Sequence, residues 1–168
     1  MKKLIFIIVL LAGSFLTTQA QQKIGHMNSG NVLEKLPDVI NANKALSALQ
    51  DSLKVELDTR TARFRSKYEL AIKAVNEGTL TPAQQSAKEQ ELNQDQSDLQ
   101  KFQSDAEGLI ALRRQMLLAP VMAKLDNAVK AVGKENGYAF IFDQATGSML
   151  YVTESDDVTK LVEKKLGI

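Results

Sequence analysis

Gly78-Thr79-Leu80-Thr81-Pro82 is a helix stop followed at once by a helix start. Glycine suits the left-handed position that closes a helix. Threonine is a good N-cap, and proline is best tolerated at the first helical position. On both sides of this stretch apolar residues recur at helical steps. Upstream they are Leu46, Leu49, Leu53, Leu57, Phe64, Tyr68, Ile72 and Val75, with Arg60 filling one slot. Downstream they are Leu92, Leu99, Phe102, Ala106, Leu109, Leu112 and Met116. Steps of three, four and seven predict two helices buried along one narrow seam. The expectation is an antiparallel helical hairpin over residues 32–118, its tip near 78–82, each arm about 55–70 Å long at 1.5 Å per residue. So thin a hairpin cannot fill a core of its own. It predicts partner chains, or something held between arms.

The charges agree with folding back at Gly78. Residues 54–73 carry six Lys/Arg against three Asp/Glu, and residues 88–107 carry two against six. An antiparallel turn lays the basic stretch beside the acidic one. Exposed ion pairs contribute at most about 1 kcal/mol each, so they steer register more than they stabilise. Two separately solvated faces are the other reading of the same pattern.

Outside the hairpin the character changes. Lys23 to Ser29 is a short extended segment, and Ser29-Gly30-Asn31 supplies turn and capping chemistry ahead of a helix that meets Pro37 early. Pro120 predicts a kink or short break, after which Val121, Met122, Leu125, Val129 and Val132 resume the helical period as far as Asn136-Gly137. Tyr138 to Phe142 and Ser148 to Val152 read as two strands joined by the turn at Asp143 to Gly147. Ser155-Asp156-Asp157 caps a last short helix through Leu161, Val162 and Leu166. The fold class is therefore α+β and mostly α. Residues 21–31 and 119–168 form a small strand-rich association body attached to the long hairpin. So little sheet leaves edges and an apolar face uncovered, which self-association would cover. The residues expected at that interface are Ile24, Met27, Phe140, Phe142, Leu150 and Val152. Alternate strand residues face opposite ways, so only some of them belong to a core.

Met1-Lys2-Lys3, the apolar run Leu4 to Leu16 and the small residues at positions 18 and 20 predict a cleaved secretory signal over residues 1–20. A retained anchor is the alternative, but the run falls short of the about 20 residues that span a bilayer. Removing residues 1–20 takes two of 21 basic residues and none of the 20 acidic ones, leaving a net charge of −1. That balance argues against nucleic acid as a partner, since phosphate binding needs a basic surplus. There is no cysteine, which excludes disulfides and lipid attachment through an N-terminal thiol.

Catalytic chemistry is not legible. His26 is the single histidine, so no two-histidine metal site exists, and its place in a short strand predicts a half-buried structural residue. No phosphate-binding glycine loop and no Gly-x-Ser-x-Gly or His-Glu-x-x-His motif occurs. The expectation is no enzyme, no cofactor and no metal.

The chain beyond residue 20 resembles the Skp/OmpH family of periplasmic chaperones. The resemblance is carried by Lys23 to Ser29, by Val32-Leu33-Glu34-Lys35-Leu36-Pro37, by the tip Gly78 to Pro82 and by Leu117-Leu118-Ala119-Pro120-Val121. It continues through Lys134-Glu135-Asn136-Gly137-Tyr138 and Val158 to Ile168. It implies a homotrimer with a small β-barrel body and three helical arms. These enclose unfolded outer-membrane β-barrel proteins without ATP and hold them for delivery to the outer membrane. Arm residues that a two-helix seam leaves partly open are the expected client contacts: Phe64, Tyr68, Ile72 and Phe102, with Arg60, Arg63, Arg65 and Lys67 for acidic segments. Two departures stand out. The chain is near neutral where such chaperones are often basic, which gives no support to contact with membrane lipid or lipopolysaccharide. His26 stands where an aromatic residue is common. The competing reading is a structural coiled-coil spacer of the cell envelope.

Overall fold

A computed structural model describes residues 22–168; the expected signal segment lies outside them. In chain order the elements are β1 (Lys23–Met27), α1 (Ser29–Lys35), α2 (Pro37–Asn76), α3 (Pro82–Asn136), β2 (Tyr138–Asp143) and α4 (Thr159–Leu166). Short 3-10 turns at Gln144–Thr146 and Glu154–Asp156 lie between β2 and α4. The fold is mostly helical with a small two-stranded sheet. Two compact units form: the described residues up to Ser29 with Asn127–Gly167, and Gly30–Asp126.

The second unit is the helical hairpin, and its ends are written in local chemistry. Gly78 adopts φ +65°, the Thr79 amide reaches back to the Ala74 carbonyl, and the Gly78 amide to that of Val75. This closes α2 with the paired bonds of a Schellman turn. The next helix opens with a capping box. The Thr81 hydroxyl accepts the Gln84 amide at 3.3 Å, and the Gln84 side-chain oxygen accepts the Thr81 amide at 2.8 Å. Pro37 is the first residue of α2, where its missing N–H costs nothing.

Cross-helix contacts give the register. Arg60 meets Phe102, Lys67 meets Asp95 and Lys124 meets Asp38, and the residue numbers of each pair sum to 162. The two helices therefore run antiparallel about a tip near residue 81. In this unit the buried apolar side chains are Val32, Leu36, Ala42, Leu46, Val121 and Leu125, with Ala71 alone further toward the tip. Between Leu46 and Ala71 the seam is only half-covered.

In the first unit β1 and β2 pair in parallel, Ile24 beside Phe140 and His26 beside Phe142, with an irregularity after Lys23. Met27, Ala128, Val132, Val158 and Val162 are buried, and Leu166 nearly so. Ile141 on β2 packs toward Gly133 on α3, where an added Cβ would meet the Ile141 Cδ1 at an ordinary contact distance of 3.5 Å. Asp143 ties strand to helix: its carboxylate accepts the Ser29 amide at 3.0 Å, the Ser29 hydroxyl and the Ala145 amide. The first turn of α1 is thus capped from a residue distant in sequence.

Three expectations need correction. Of the kink or short break expected at Pro120, the break does not occur: helix α3 runs through it. A proline forfeits one backbone bond, and the flanking Val121 and Leu125, both buried, hold the helix together across the gap. Ser148 to Val152 is not a strand, and no hairpin forms with β2. A strand persists only beside a partner, and in this chain β1 takes the pairing with β2 in parallel. His26 is buried, not half-buried.

Candidate functional site

The hairpin unit carries the candidate contact residues, and the geometry separates them into two sets. From Leu46 onward the covered positions of α2 are Leu46, Leu49, Leu53, Leu57, Phe64, Lys67, Ala71 and Ala74. With the Arg60 slot included, their mean step is 3.5 residues, the coiled-coil period. After Phe64 the large apolar residues depart from that line by one position. Tyr68, Ile72 and Val75 are exposed while Lys67, Ala71 and Ala74 face the partner helix. The return helix repeats this: Leu99, Phe102, Ala106 and Ile110 are partly covered, while Leu109, Leu112 and Met116 are exposed. Reading the largest side chains as seam therefore fails at Val75, Leu109, Leu112 and Met116, while Tyr68 and Ile72, in the same stripe, are open as expected of contact residues. Alanine allows close approach, and the seam followed period over size.

Charged side chains fill the vacated seam slots. The Arg60 guanidinium lies 4.2 Å from the centre of the Phe102 ring and its Nε donates to Glu56 at 2.7 Å. Stacking on an aromatic face suits a guanidinium, which sheds water more easily than an ammonium. Lys67 reaches both Asp95 at 2.6 Å and Glu91 at 3.0 Å across the hairpin. Asp95 first and Glu91 second hold its ammonium above the usual lysine value. Glu91, bonded chiefly by Lys88 and then by Lys67, is pushed down to about 2.

The remaining basic side chains do less across the hairpin. Arg65 pairs with Glu69 one turn along its own helix, and Lys54 with Asp58 likewise. The expected basic-to-acidic pairing is thus concentrated at Lys67. Arg63 lines a crevice of about 210 Å³ together with Arg60, Phe64, Asp95 and Leu99. Phe64 and Tyr68 lie 6.4 Å apart at a tilt of 32°. Tyr68 and Ile72 border a shallow apolar hollow of about 410 Å³ near the tip, rimmed by Glu69, Lys73 and Glu77. Phe64 and Phe102 are half-buried, whereas Tyr68 and Ile72 stand open. The hairpin can offer apolar contact flanked by both signs of charge.

The first unit holds the candidate association residues. Of these only Met27 is in the core. Ile24, Phe140 and Phe142 share the open face of the two-stranded ribbon, and the two phenyl rings stack with centroids 6.2 Å apart. Val152 is half-buried, Leu150 is 100% exposed and Tyr151 84%. Tyr151 was not singled out in the sequence, although alternation with Leu150 was the signal that could have found it.

Among the described residues no cluster of His, Cys, Asp or Glu could hold a metal ion, and no helix is long and apolar enough to cross a membrane.

The fold is that of a protein with a long antiparallel helical hairpin and a small unit built on two parallel strands. The family model for OmpH-like outer membrane proteins matches residues 23–166, and the chain belongs to that family. Its fold is similar to the crystal structure of a protein described as an OmpH-like outer membrane chaperone from Caulobacter crescentus. The TM-score is 0.72 at 12% identity, covering 88% of this chain and 85% of the other. No curated protein matches.

Proposed function

We propose that this chain is an ATP-independent holdase of the periplasm, reached through a cleaved signal over residues 1–20. As a homotrimer it binds unfolded outer-membrane β-barrel proteins between helical arms and keeps them soluble for delivery to the outer membrane. The observation that carries the reading is the displacement of Tyr68, Ile72, Leu109, Leu112 and Met116 from the seam into solvent. A hairpin selected only for stiffness gains nothing from apolar side chains there, which counts against the envelope-spacer alternative. Many weak apolar contacts, interleaved with Arg63, Arg65, Glu69 and Lys73, suit a client that must be gripped and later released. The open face of Ile24, Phe140 and Phe142, with Leu150 and Val152 nearby, is the surface we assign to trimer assembly. Membership of the OmpH-like family and the chaperone description of the Caulobacter protein support the same reading.

A photo-crosslinking amino acid placed in turn at Ile72, Leu112 and Phe140 tests it in the presence of an unfolded β-barrel protein. Client adducts from the first two positions and self-adducts from Phe140 are expected. Absence of client adducts at every arm position would overturn the proposal.

A further inference from the structure

His26 holds the turn between Thr153 and Val158 at two points. Its carbonyl accepts the Val158 amide at 2.8 Å, and its ring Nε2 lies 2.8 Å from the Thr153 carbonyl oxygen. A carbonyl only accepts, so Nε2 carries the hydrogen and Nδ1 is the bare nitrogen. The side chain is 5% exposed, and Nδ1 has no hydrogen-bond partner among the described residues. A crevice of about 260 Å³ runs alongside, between Ile24 and His26 on the strand and Tyr151, Thr153 and Asp156 opposite. From Ser148 to Thr153 the backbone belongs to no helix or strand. The ring-to-carbonyl bond is what pins the far end of that irregular segment to β1.

We infer that His26 is an acid-sensitive latch: a second proton, taken up at Nδ1, charges a ring shut away from water, so the ring moves out to solvent, gives up its bond to Thr153 and frees the segment from Ser148 to Asp156 from strand β1. The neutral ring satisfies its site and the charged ring does not. A new N–H at Nδ1 meets no acceptor among the described residues, and an unsatisfied buried donor and a desolvated charge are both costly.

The charged neighbours supply attraction but no hydrogen bond to Nδ1. Asp156 accepts the Thr153 hydroxyl at 2.7 Å, and Asp157 accepts the Thr159 amide at 2.8 Å. Burial pushes the Asp157 carboxyl up, while Thr159, His26 and Lys160 outweigh that and leave it below its ordinary value. Asp157 thus attracts the ring but is committed to the start of α4. On the β2 side Asp143 is engaged by Ser29 and Ala145. Glu154 is exposed, and Lys160 on α4 opposes a positive ring. The segment set free carries Leu150 and Tyr151, so acid would also disturb the proposed assembly surface. That consequence rests on the trimer reading; the latch itself does not.

Because the chain has one histidine, its ring C–H signal in untagged protein lacking residues 1–20 is unambiguous by NMR. The ring signal and amide exchange over residues 148–157, corrected for the intrinsic effect of pH, are followed from about pH 7.5 to about pH 5.5, where imidazoles change charge. Exchange in this segment is expected to rise about tenfold in step with the ring signal, the equivalent of one lost buried hydrogen bond. His26→Gln, whose amide can still donate to the Thr153 carbonyl but does not titrate, is expected to give a flat profile. The latch is overturned by a titrating ring with unchanged protection. It is also overturned by a ring signal that stays still across the range, or by the same rise in the Gln variant. Should that variant not fold, coincidence of the two wild-type profiles decides. The readout is local, so a chain that proves monomeric leaves this test intact.

Discussion

Gly25 sits where strand β1 presses on two neighbours, and replacing it with alanine perturbs that contact at a known distance. A methyl carbon there would lie 2.9 Å from the Tyr138 Cε1, 3.0 Å from its Cδ1 and 3.1 Å from the Val158 Cγ1. Val158 is fully buried and β-branched, so it has no room to yield. Gly25 is not among the positive-φ glycines, so its backbone conformation is open to alanine. Alanine would therefore gain about 0.4–1 kcal/mol by restricting the unfolded chain. Overpacking costs about 1–3 kcal/mol. The clash wins, and a net loss of about 1–2 kcal/mol is expected, roughly 5- to 30-fold in the folding equilibrium. Urea unfolding followed by circular dichroism at fixed protomer concentration measures it, since association would otherwise shift the apparent stability. Repeating Gly25→Ala in a Tyr138→Ala background removes two of the three close approaches. The cost of the lost Lys23–Tyr138 contact, at 4.1 Å to the ring centre, cancels in the cycle. The Gly25→Ala penalty should then fall by at least half. Equal penalties in both backgrounds would refute the steric argument.

Asp143→Asn removes a carboxylate that serves Ser29 and Ala145, and should cost about 1–3 kcal/mol, read by the same unfolding assay. Burial pushes the Asp143 carboxyl up, but those hydrogen bonds outweigh it and hold it below its ordinary value. Its contribution is therefore present above the usual carboxylate range and lost as pH falls through it, so wild type should lose its advantage over the Asn variant on acidification. Glu91 should titrate, by carboxyl-carbon NMR, near 2 instead of 4.5, with its bonds to Lys88 and then Lys67 intact above pH 4.5 and lost as pH falls toward 2. A midpoint at 4.5 would contradict those bonds. Reversing the charges of Arg60, Arg63, Arg65 and Lys67 should weaken capture of acidic clients more at low salt than at high, because such contacts are screened. Equal affinity at every salt concentration would sink that assignment.

The tip was legible because its chemistry is local: Gly78, Thr81 and Pro82 each act on backbone groups within a turn of themselves. The seam was legible as far as Phe64. Beyond it the pattern of large residues and the pattern of burial part company by one position, and only the partner helix decides which line is covered. Lys67 in the seam could have been inferred from the 3.5 period, but a lysine there contradicts composition until Glu91 and Asp95 are brought opposite. The strand at Ser148 to Val152 was misread because alternation signals only a capacity to pair. Parallel pairing of β1 with β2, far apart in sequence, and capping of α1 by Asp143 left no local trace. His26 was placed correctly in a strand, while its burial depends on the turn from Thr153 to Val158 folding over it.

The central claim is that the chain holds unfolded outer-membrane proteins. The most direct measurement dilutes an outer-membrane β-barrel protein out of urea into buffer, with and without the protein lacking residues 1–20. Soluble complex is then resolved by size and light scattering. A soluble complex containing three copies of this chain and one client is the predicted result. Aggregation of the barrel protein at an unchanged rate, beside a well-folded oligomer of this chain, would contradict it.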